Sequence, residues 1–156
     1  MSVHASWLSR LFDHEEINGN GVCPTYLHRW TLLKLGDALS IYLHKFVGDD
    51  WSIDLHDHPK RFWSIGLWGS YTEITPINNQ TSLYCTKRLY RAPWVRTFAA
   101  THKHRLVGPT PEKPCWTIVV VGRAVRGWGF WRRGSFVPWR QYVNDGSNAA
   151  DRRSCP

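Results

Sequence analysis

Two pairs of closely spaced histidines are the residues of this sequence best suited to chemistry. His56 and His58 form the first pair, and His102 and His104 form a second pair later in the chain. Residues i and i+2 of a β-strand point to the same face, so each pair would present two imidazoles side by side. Neutral imidazole is a common ligand of zinc, iron, nickel and copper. Two such strands facing each other would supply three or four nitrogens to one ion.

Each histidine pair also has a simpler explanation. A single pair on a strand is often two solvated surface residues, and imidazoles also serve as neutral hydrogen-bonding groups in protein cores. One pair alone does not complete a metal site, whereas two pairs, each at a strand candidate, could supply enough ligands for one. The presence of both pairs therefore favours a metal centre.

The predicted turn at Gly69-Ser70 returns the chain along the strand that follows the first histidine pair. Tyr71 and Glu73 would then share one face. Glu73 is a candidate metal ligand, hydrogen-bond partner of an imidazole, or general base, although a surface glutamate is the alternative. We predict proton-transfer roles for Glu73 and His102, and substrate contact for Tyr71.

Asp57 lies between the two histidines of the first pair. By strand parity it should point away from the face on which His56 and His58 project. This placement argues against a facial triad of two histidines and one carboxylate built on His56 and Asp57.

The sequence carries a formal net charge of +8, from 20 Lys and Arg against 12 Asp and Glu. This excess predicts an anionic partner, either a small molecule or a nucleic acid. Arg105 and Arg126 are candidates to bind an anionic substrate group, because guanidinium pairs with carboxylate or phosphate through two hydrogen bonds. Lys103 is a weaker candidate, for which solvation is the simpler reading.

The elements that must position these residues are mostly short predicted strands. They cover 27–33, 38–46, 62–68, 71–75, 84–89, 94–98, 102–107, 116–121 and 126–131. Turns rich in glycine and proline separate them, which predicts an all-β fold, an antiparallel barrel or sandwich. The apolar spacing of Trp7, Leu8, Leu11 and Phe12 predicts a short N-terminal helix. The length fits one domain, 1–143, followed by a polar and flexible tail, 144–156.

The cysteines and the apolar runs indicate the cellular compartment in which the protein is expected. None of the four cysteines is spaced Cys-x-x-Cys, and the N-terminus lacks the pattern of a signal peptide. Reduced thiols and a cytoplasmic location are therefore expected. The longest apolar run, Ile118–Val121, is far too short for a membrane span, so we expect no membrane partner.

Several of these features resemble motifs of the cupin superfamily. Gly48, His56-Asp57-His58 and Gly69 resemble the first cupin motif, in which a histidine pair begins a strand and a glycine ends it. The second cupin motif brings one more histidine from a later strand. His104 is the best match for it, and His102 is the alternative.

The sequence departs from the cupin motifs at two points. The glutamate of the first motif would fall at Phe62 or Trp63, neither of which binds a metal, and the Pro-x-Gly of the second motif is missing before His102. The resemblance therefore implies a metal held by three histidines, His56, His58 and His104. Three-histidine iron sites occur in cupins that resemble thiol dioxygenases.

The segment 44–142 also resembles small cupin-like proteins of bacteria and phages. The similar pieces are His56-Asp57-His58-Pro59, Phe62-Trp63-Ser64, Gly69-Ser70-Tyr71, His104-Arg105-Leu106, Trp116-Thr117, Trp128-Gly129-Phe130 and Val137-Pro138-Trp139-Arg140. The resemblance implies a small antiparallel cupin-like β-barrel, or jelly roll, and for a phage protein the host cytoplasm.

The function predicted from these features is a metal-dependent oxygenase or dioxygenase without haem, acting on a small anionic substrate. Iron is the first choice of metal, with zinc, nickel or manganese as alternatives. Two other functions remain open: an isomerase or epimerase of the sugar-nucleotide type, and a non-catalytic module that binds a nucleotide or nucleic acid. A homodimer is compatible with the sequence.

Overall fold

A computed structural model describes residues 12–18, 23–77 and 84–144. The described strands are β1 (His14–Ile17), β2 (Leu27–Leu35), β3 (Leu39–Phe46), β4 (Leu55–His56), β5 (Lys60–Trp68), β6 (Ser70–Pro76), β7 (Cys85–Arg91), β8 (Trp94–Phe98), β9 (Arg105–Val107), β10 (Cys115–Ala124), β11 (Gly129–Arg132) and β12 (Ser135–Pro138). One short helix, α1 (Trp139–Asn144), follows them. All the strand pairings are antiparallel, which confirms the all-β fold class.

The strands form two facing layers. The first layer is a six-stranded sheet in the order β1-β2-β3-β10-β5-β8. Two three-stranded sheets, β12-β11-β4 and β7-β6-β9, make up the second layer. An antiparallel bridge between His56 and His104 joins these two small sheets, with each backbone N–H donating to the other residue's carbonyl at 2.9 Å. The histidines therefore meet at the seam of the second layer.

Alternation along the strands of the first layer selects which side chains face inward. Thr117, Val119 and Val121 of β10 line the space between the layers, as do His44 and Phe46 of β3. The residues between them point to the other face of the sheet. Phe46 contacts Tyr71 of the second layer across this space, with ring centroids 6.3 Å apart. The core thus lies between the layers and borders an open cavity.

Close approach of the backbone requires glycine at two positions. Gly69, between β5 and β6, has a φ of 79°, and a Cβ there would lie 2.2 Å from the Pro114 carbonyl oxygen. Gly129 begins β11, and a Cβ there would lie 2.1 Å from the Val137 carbonyl oxygen. Only glycine fits such approaches of backbone to backbone. The first of these glycines ends the segment predicted to resemble a cupin motif.

Some details of the predicted fold require correction. Among the described strands the sheets do not close into a barrel, because β1 and β8 each pair with one described strand at the ends of the first layer. The predicted N-terminal helix falls mostly on residues 1–11, which lie outside the described residues; its last residue, Phe12, lies in a turn, and 14–17 form a strand. The described helix is α1, near the C-terminal end. The predicted tail beyond Asn144 also lies outside the described residues.

The expectation of reduced thiols holds for two cysteines and fails for a third. Cys85 and Cys115 are free, whereas Cys23 is disulfide-bonded. Within the described ranges, no helix has the length and apolarity needed to cross a bilayer.

Candidate metal centre

Three histidines converge at the seam of the second layer. His56 ends β4, His58 follows two residues later, and His104 immediately precedes β9. Backbone hydrogen bonds hold all three, since His58 N–H donates to the Ala100 carbonyl at 3.0 Å and His56 and His104 bond each other. Their candidate ligand nitrogens all lie within 4.8 Å of one another. We call this group the inner cluster (His56, His58 and His104).

A carboxylate behind His104 fixes the tautomer of that ring. Glu73 on β6 is buried, and its Oε1 lies 2.8 Å from Nδ1 of His104 and 2.9 Å from Nε2 of His102. An ionised carboxylate only accepts hydrogen bonds, so both of these nitrogens carry protons. Nε2 of neutral His104 then carries no proton, so its lone pair is available to a metal ion. This nitrogen lies 2.9 Å from Nε2 of His58.

The Glu73 carboxylate is itself held in place. Its Oε2 accepts a hydrogen bond from Arg96 of β8, and the same guanidinium donates to the Tyr71 hydroxyl at 2.8 Å. Burial raises the pKa of Glu73, but hydrogen bonds from His102, His104 and Arg96 outweigh it and leave the pKa well below its usual value. Glu73 is therefore a fixed anion that orients His104.

The inner cluster is held in its neutral form. Burial is the main cause that lowers the pKa of all three histidines, and the charges of neighbouring histidines lower the pKa of His56 and His58 further. For His104 the Glu73 carboxylate opposes this shift in part. Neutral imidazole is the form that binds a metal ion.

The residues of the inner cluster fit a divalent transition metal. Metal–nitrogen bonds of 2.0–2.1 Å place two nitrogens on one ion about 3 Å apart. The 2.9 Å between the Nε2 atoms of His58 and His104 matches that spacing. Nδ1 of His56 faces an Asp50 oxygen at 3.7 Å, which leaves its Nε2 for an ion. The carboxylate–histidine pair of Glu73 and His104 is the usual support for a histidine ligand.

Asp57 lies on the opposite side of its strand from the inner cluster, as strand parity predicts. It does not point to solvent, however, because β11 covers it. Its carboxylate is fully buried and accepts hydrogen bonds from Gly129 N–H at 2.9 Å, Trp131 Nε1 at 3.1 Å and Arg126 at 2.7 Å. Asp57 thus anchors the histidine-bearing segment and is no candidate ligand.

A cavity of about 400 Å³ between the layers borders the inner cluster. His56, His58 and His104 form part of its wall, and much of the remainder is aromatic: Phe62, Phe98, Trp128 and Phe130. A cavity of this size accommodates a small organic molecule. The inner cluster therefore borders a space large enough for such a molecule.

Basic and acidic groups also line the cavity. Arg29 of β2 and Lys60 of β5 contribute the cationic side chains. Arg29 Nε donates to Nε2 of buried His44 at 3.1 Å, and burial with the Arg29 charge lowers the pKa of His44 well below its usual value. Burial raises the pKa of Asp50 to about 7, against the hydrogen bond from Leu106 N–H.

The predicted substrate-binding residues have different surroundings. Tyr71 lines the cavity, whereas Arg105 and Arg126 are not among its lining residues. Arg105 lies 3.4 Å from the Asp50 carbonyl, and Arg126 pairs with Asp57. His102 also lies outside the lining; it contacts Glu73 and packs edge-on against the His104 ring, with centroids 5.1 Å apart.

Sequence reasoning did not find Arg29, Lys60, His44 or Arg96. Arg29 and His44 share parity with Leu27 and Phe46, which are apolar residues of the same strands. A charged residue in phase with the apolar face of a strand is the signal that would have pointed to the cavity. Arg96 carries the same signal, since it shares parity with Trp94 and Phe98 of β8, but its pairing with Glu73 depends on the packing of the layers.

No protein-family model matches this sequence, and no curated protein matches it either. Solved structures do match. The polyketide cyclase RemF from Streptomyces resistomycificus superposes with a TM-score of 0.58 at 14% identity, over 96% of this chain and 98% of that one. A sugar phosphate isomerase of the cupin superfamily from Silicibacter pomeroyi gives a TM-score of 0.50 at 14% identity, over 83% of this chain and 73% of that one.

Fe(II)-bound HppE with the alternative substrate (S)-1-HPP also superposes, with a TM-score of 0.53 at 11% identity. The match covers 70% of this chain and only 56% of the length of HppE. These similarities establish the fold. The chain has a cupin-type fold, and its structural neighbours are cupin-type proteins, as the histidine and glycine motifs predicted.

Proposed function

We propose that this cupin-type protein is a metal-dependent enzyme that binds a small anionic molecule in its cavity. The observation that carries the proposal is the convergence of three neutral imidazoles, His56, His58 and His104, on one point of the wall of that cavity. Three protein nitrogens leave coordination positions open, as in catalytic metal sites. Structural metal sites are instead closed by four protein ligands.

The residues around the inner cluster and the cavity would have separate roles. Glu73 keeps the proton on Nδ1 of His104 and aims Nε2 at the ion, while Arg96 keeps Glu73 ionised. Arg29 and Lys60 would attract the anionic group of the substrate, and the aromatic wall would hold its apolar part and exclude water. An ion in the inner cluster would supply Lewis-acid polarisation and, if it is iron, oxygen chemistry as well.

Oxygenase or dioxygenase chemistry with iron is the first reaction class we propose. Fe(II)-bound HppE provides a structural neighbour with iron on this fold, although the similarity spans only part of each chain. Purified protein loaded anaerobically with Fe(II) is expected to consume O₂ in the presence of a catechol or small thiol from a screened panel. His56→Ala should abolish this consumption, whereas His28→Ala, on the far side of the first layer, should retain it.

Lewis-acid cyclisation or isomerisation is the second candidate class. The neutral ligand set favours it, since none of the three proposed ligands is a carboxylate and the ion would keep most of its polarising power. The polyketide cyclase RemF matches this chain over nearly its whole length. Here zinc should support turnover and O₂ should not be consumed. If metal-stripped protein turns over its substrate as fast as loaded protein, both candidate classes are excluded.

A further inference from the structure

We infer a second divalent transition-metal site, on the outer surface of the first layer, formed by His14 and Glu16 of β1 and His28 of β2. We call this group the outer cluster (His14, Glu16 and His28). Its ligands are two imidazoles and one carboxylate, a set that suits zinc, nickel or copper better than magnesium or calcium.

Strand register brings the outer cluster together. Strands β1 and β2 pair antiparallel, with Glu16 directly opposite His28 and His14 directly opposite Trp30. Residues 14 and 16 share one face of β1, as do residues 28 and 30 of β2. All four side chains therefore project from the same side of the sheet, as a compact square.

The candidate ligand atoms lie at distances that one ion can bridge. His14 Nε2 is 3.1 Å from His28 Nδ1, and Glu16 Oε1 is 3.9 Å from the same nitrogen. The candidate ligand atoms of all three residues lie within 4.8 Å of one another. The two imidazole rings are nearly parallel, with centroids 5.3 Å apart and an interplanar angle of 12°.

Neighbouring side chains hold these ligands in place. The Thr25 hydroxyl donates to Oε2 of Glu16 at 3.1 Å, which leaves Oε1 toward His28. Trp30 stacks on His14 with centroids 4.7 Å apart, and Trp30 itself stacks on Trp116 of β10. A carboxylate anchored by a hydroxyl and a ring anchored by an indole are typical supports of ligands that must keep one orientation.

The outer cluster is independent of the inner one. Leu27 and Arg29 of β2 line the cavity, so His28 and Trp30 face the other side of the sheet. An ion there would have no enclosed substrate space beside it. It would instead join edge strand β1 to β2 through side chains as well as backbone, and so stabilise that edge of the first layer.

The alternative to an ion is a direct hydrogen bond between His14 and His28. The two are distinguished by titrating metal-free, full-length protein with Zn²⁺ in excess Mg²⁺ and measuring heat and bound zinc. Wild-type protein is expected to bind a second equivalent beyond the inner cluster. His14→Asn and His28→Ala should each weaken that equivalent at least ~10-fold, since a lost ligand costs more than a lost supporting contact.

A matched pair of carboxylate variants refines the test. Glu16→Gln should weaken the outer equivalent, whereas Glu15→Gln, the preceding residue on the same strand, should not. Thr25→Val should weaken it ~10-fold by freeing the Glu16 carboxylate. Zinc stoichiometry and affinity that are unchanged in both His14→Asn and His28→Ala would overturn the outer site. So would a single wild-type equivalent that His58→Ala abolishes, since that equivalent belongs to the inner cluster. A single equivalent that survives in His58→Ala and is lost in His14→Asn would instead support the outer site and contradict the inner one.

Discussion

The inner and outer clusters use the same side-chain chemistry in opposite surroundings. Each brings two or three imidazoles within reach of one ion, and each has a glutamate in direct contact with a histidine. The inner cluster is buried at His104 and partly buried at His56 and His58; it lines a cavity, and its glutamate lies behind the His104 ring, outside the cavity lining. The outer cluster lies on an edge pair of strands, and its glutamate stands among the ligands.

The comparison indicates that the position of a histidine cluster in the fold, and not its residue types, decides which function it can have. Burial keeps the inner imidazoles neutral, and an ion bound to them would lie beside a cavity large enough for a small molecule. An ion bound to the outer cluster would instead face solvent and link β1 and β2, the strands that carry its ligands. We therefore propose a catalytic role for the inner cluster and a strand-joining role for the outer cluster.

Removing an inner ligand should have the largest effect on this comparison. His58→Ala or His104→Ala is expected to lower affinity for the inner ion by more than ~100-fold, because the loss of a ligand exceeds the loss of its support. Turnover should fall to background, while the outer equivalent stays. Elemental analysis with zinc titration checks both, and circular dichroism controls for folding. Loss of both equivalents from a folded variant would contradict the independence of the clusters.

Removing the support of His104 should have the next largest effect. Glu73→Gln keeps the shape of the side chain but removes the charge that holds the proton on Nδ1 of His104. We expect a ~10–100-fold loss of affinity for the inner ion. Glu16→Gln on the outer cluster serves as the reciprocal control, since it should spare the inner ion. Equal inner affinity in Glu73→Gln and wild-type protein would show that the carboxylate has no supporting role.

His44 tests whether burial keeps a histidine side chain neutral, because it is buried but is not one of the proposed metal ligands. Its pKa in the folded state lies below the unfolded value near 6.5, so the unfolded chain takes up its proton first as the pH falls. Its contribution to stability is complete above about pH 6.5 and is lost as the pH falls toward the folded pKa, at up to ~1.4 kcal/mol per pH unit.

His44→Gln should make the loss of stability between pH 6.5 and 5 less steep than in wild-type protein. Urea unfolding of metal-free protein across this range measures the slope. Parallel slopes in the two proteins would mean that His44 is protonated equally in the folded and unfolded states.

The smallest expected effect concerns the indole behind the outer cluster. Trp30→Leu removes the ring that stacks on His14 but keeps an apolar side chain on the sheet. Such stacking contributes about 0.5–1.5 kcal/mol, so the outer ion should bind roughly 2–10-fold more weakly. The inner ion should bind as before. An unchanged outer affinity would show that the stack does not orient the ligand.

The sequence by itself determined the strands and the first set of candidate ligands. Alternation and turn residues predicted most strands of both layers, because these patterns are local and act through strand periodicity. The His-x-His spacing placed His56 and His58 on one face and Asp57 on the other, since parity needs no tertiary information. The cupin-type fold followed from the same residues and is confirmed by the structural neighbours.

Only the tertiary structure decided which distant groups meet. It placed His104 with the inner cluster and His102 against Glu73, a choice that the sequence left open because both histidines lie next to one strand. It also opened the barrel at β1 and β8, and it put Arg29 into the cavity in place of Arg105. Such outcomes depend on how two sheets pack and which side chains they bury, and these contacts join residues far apart in the chain.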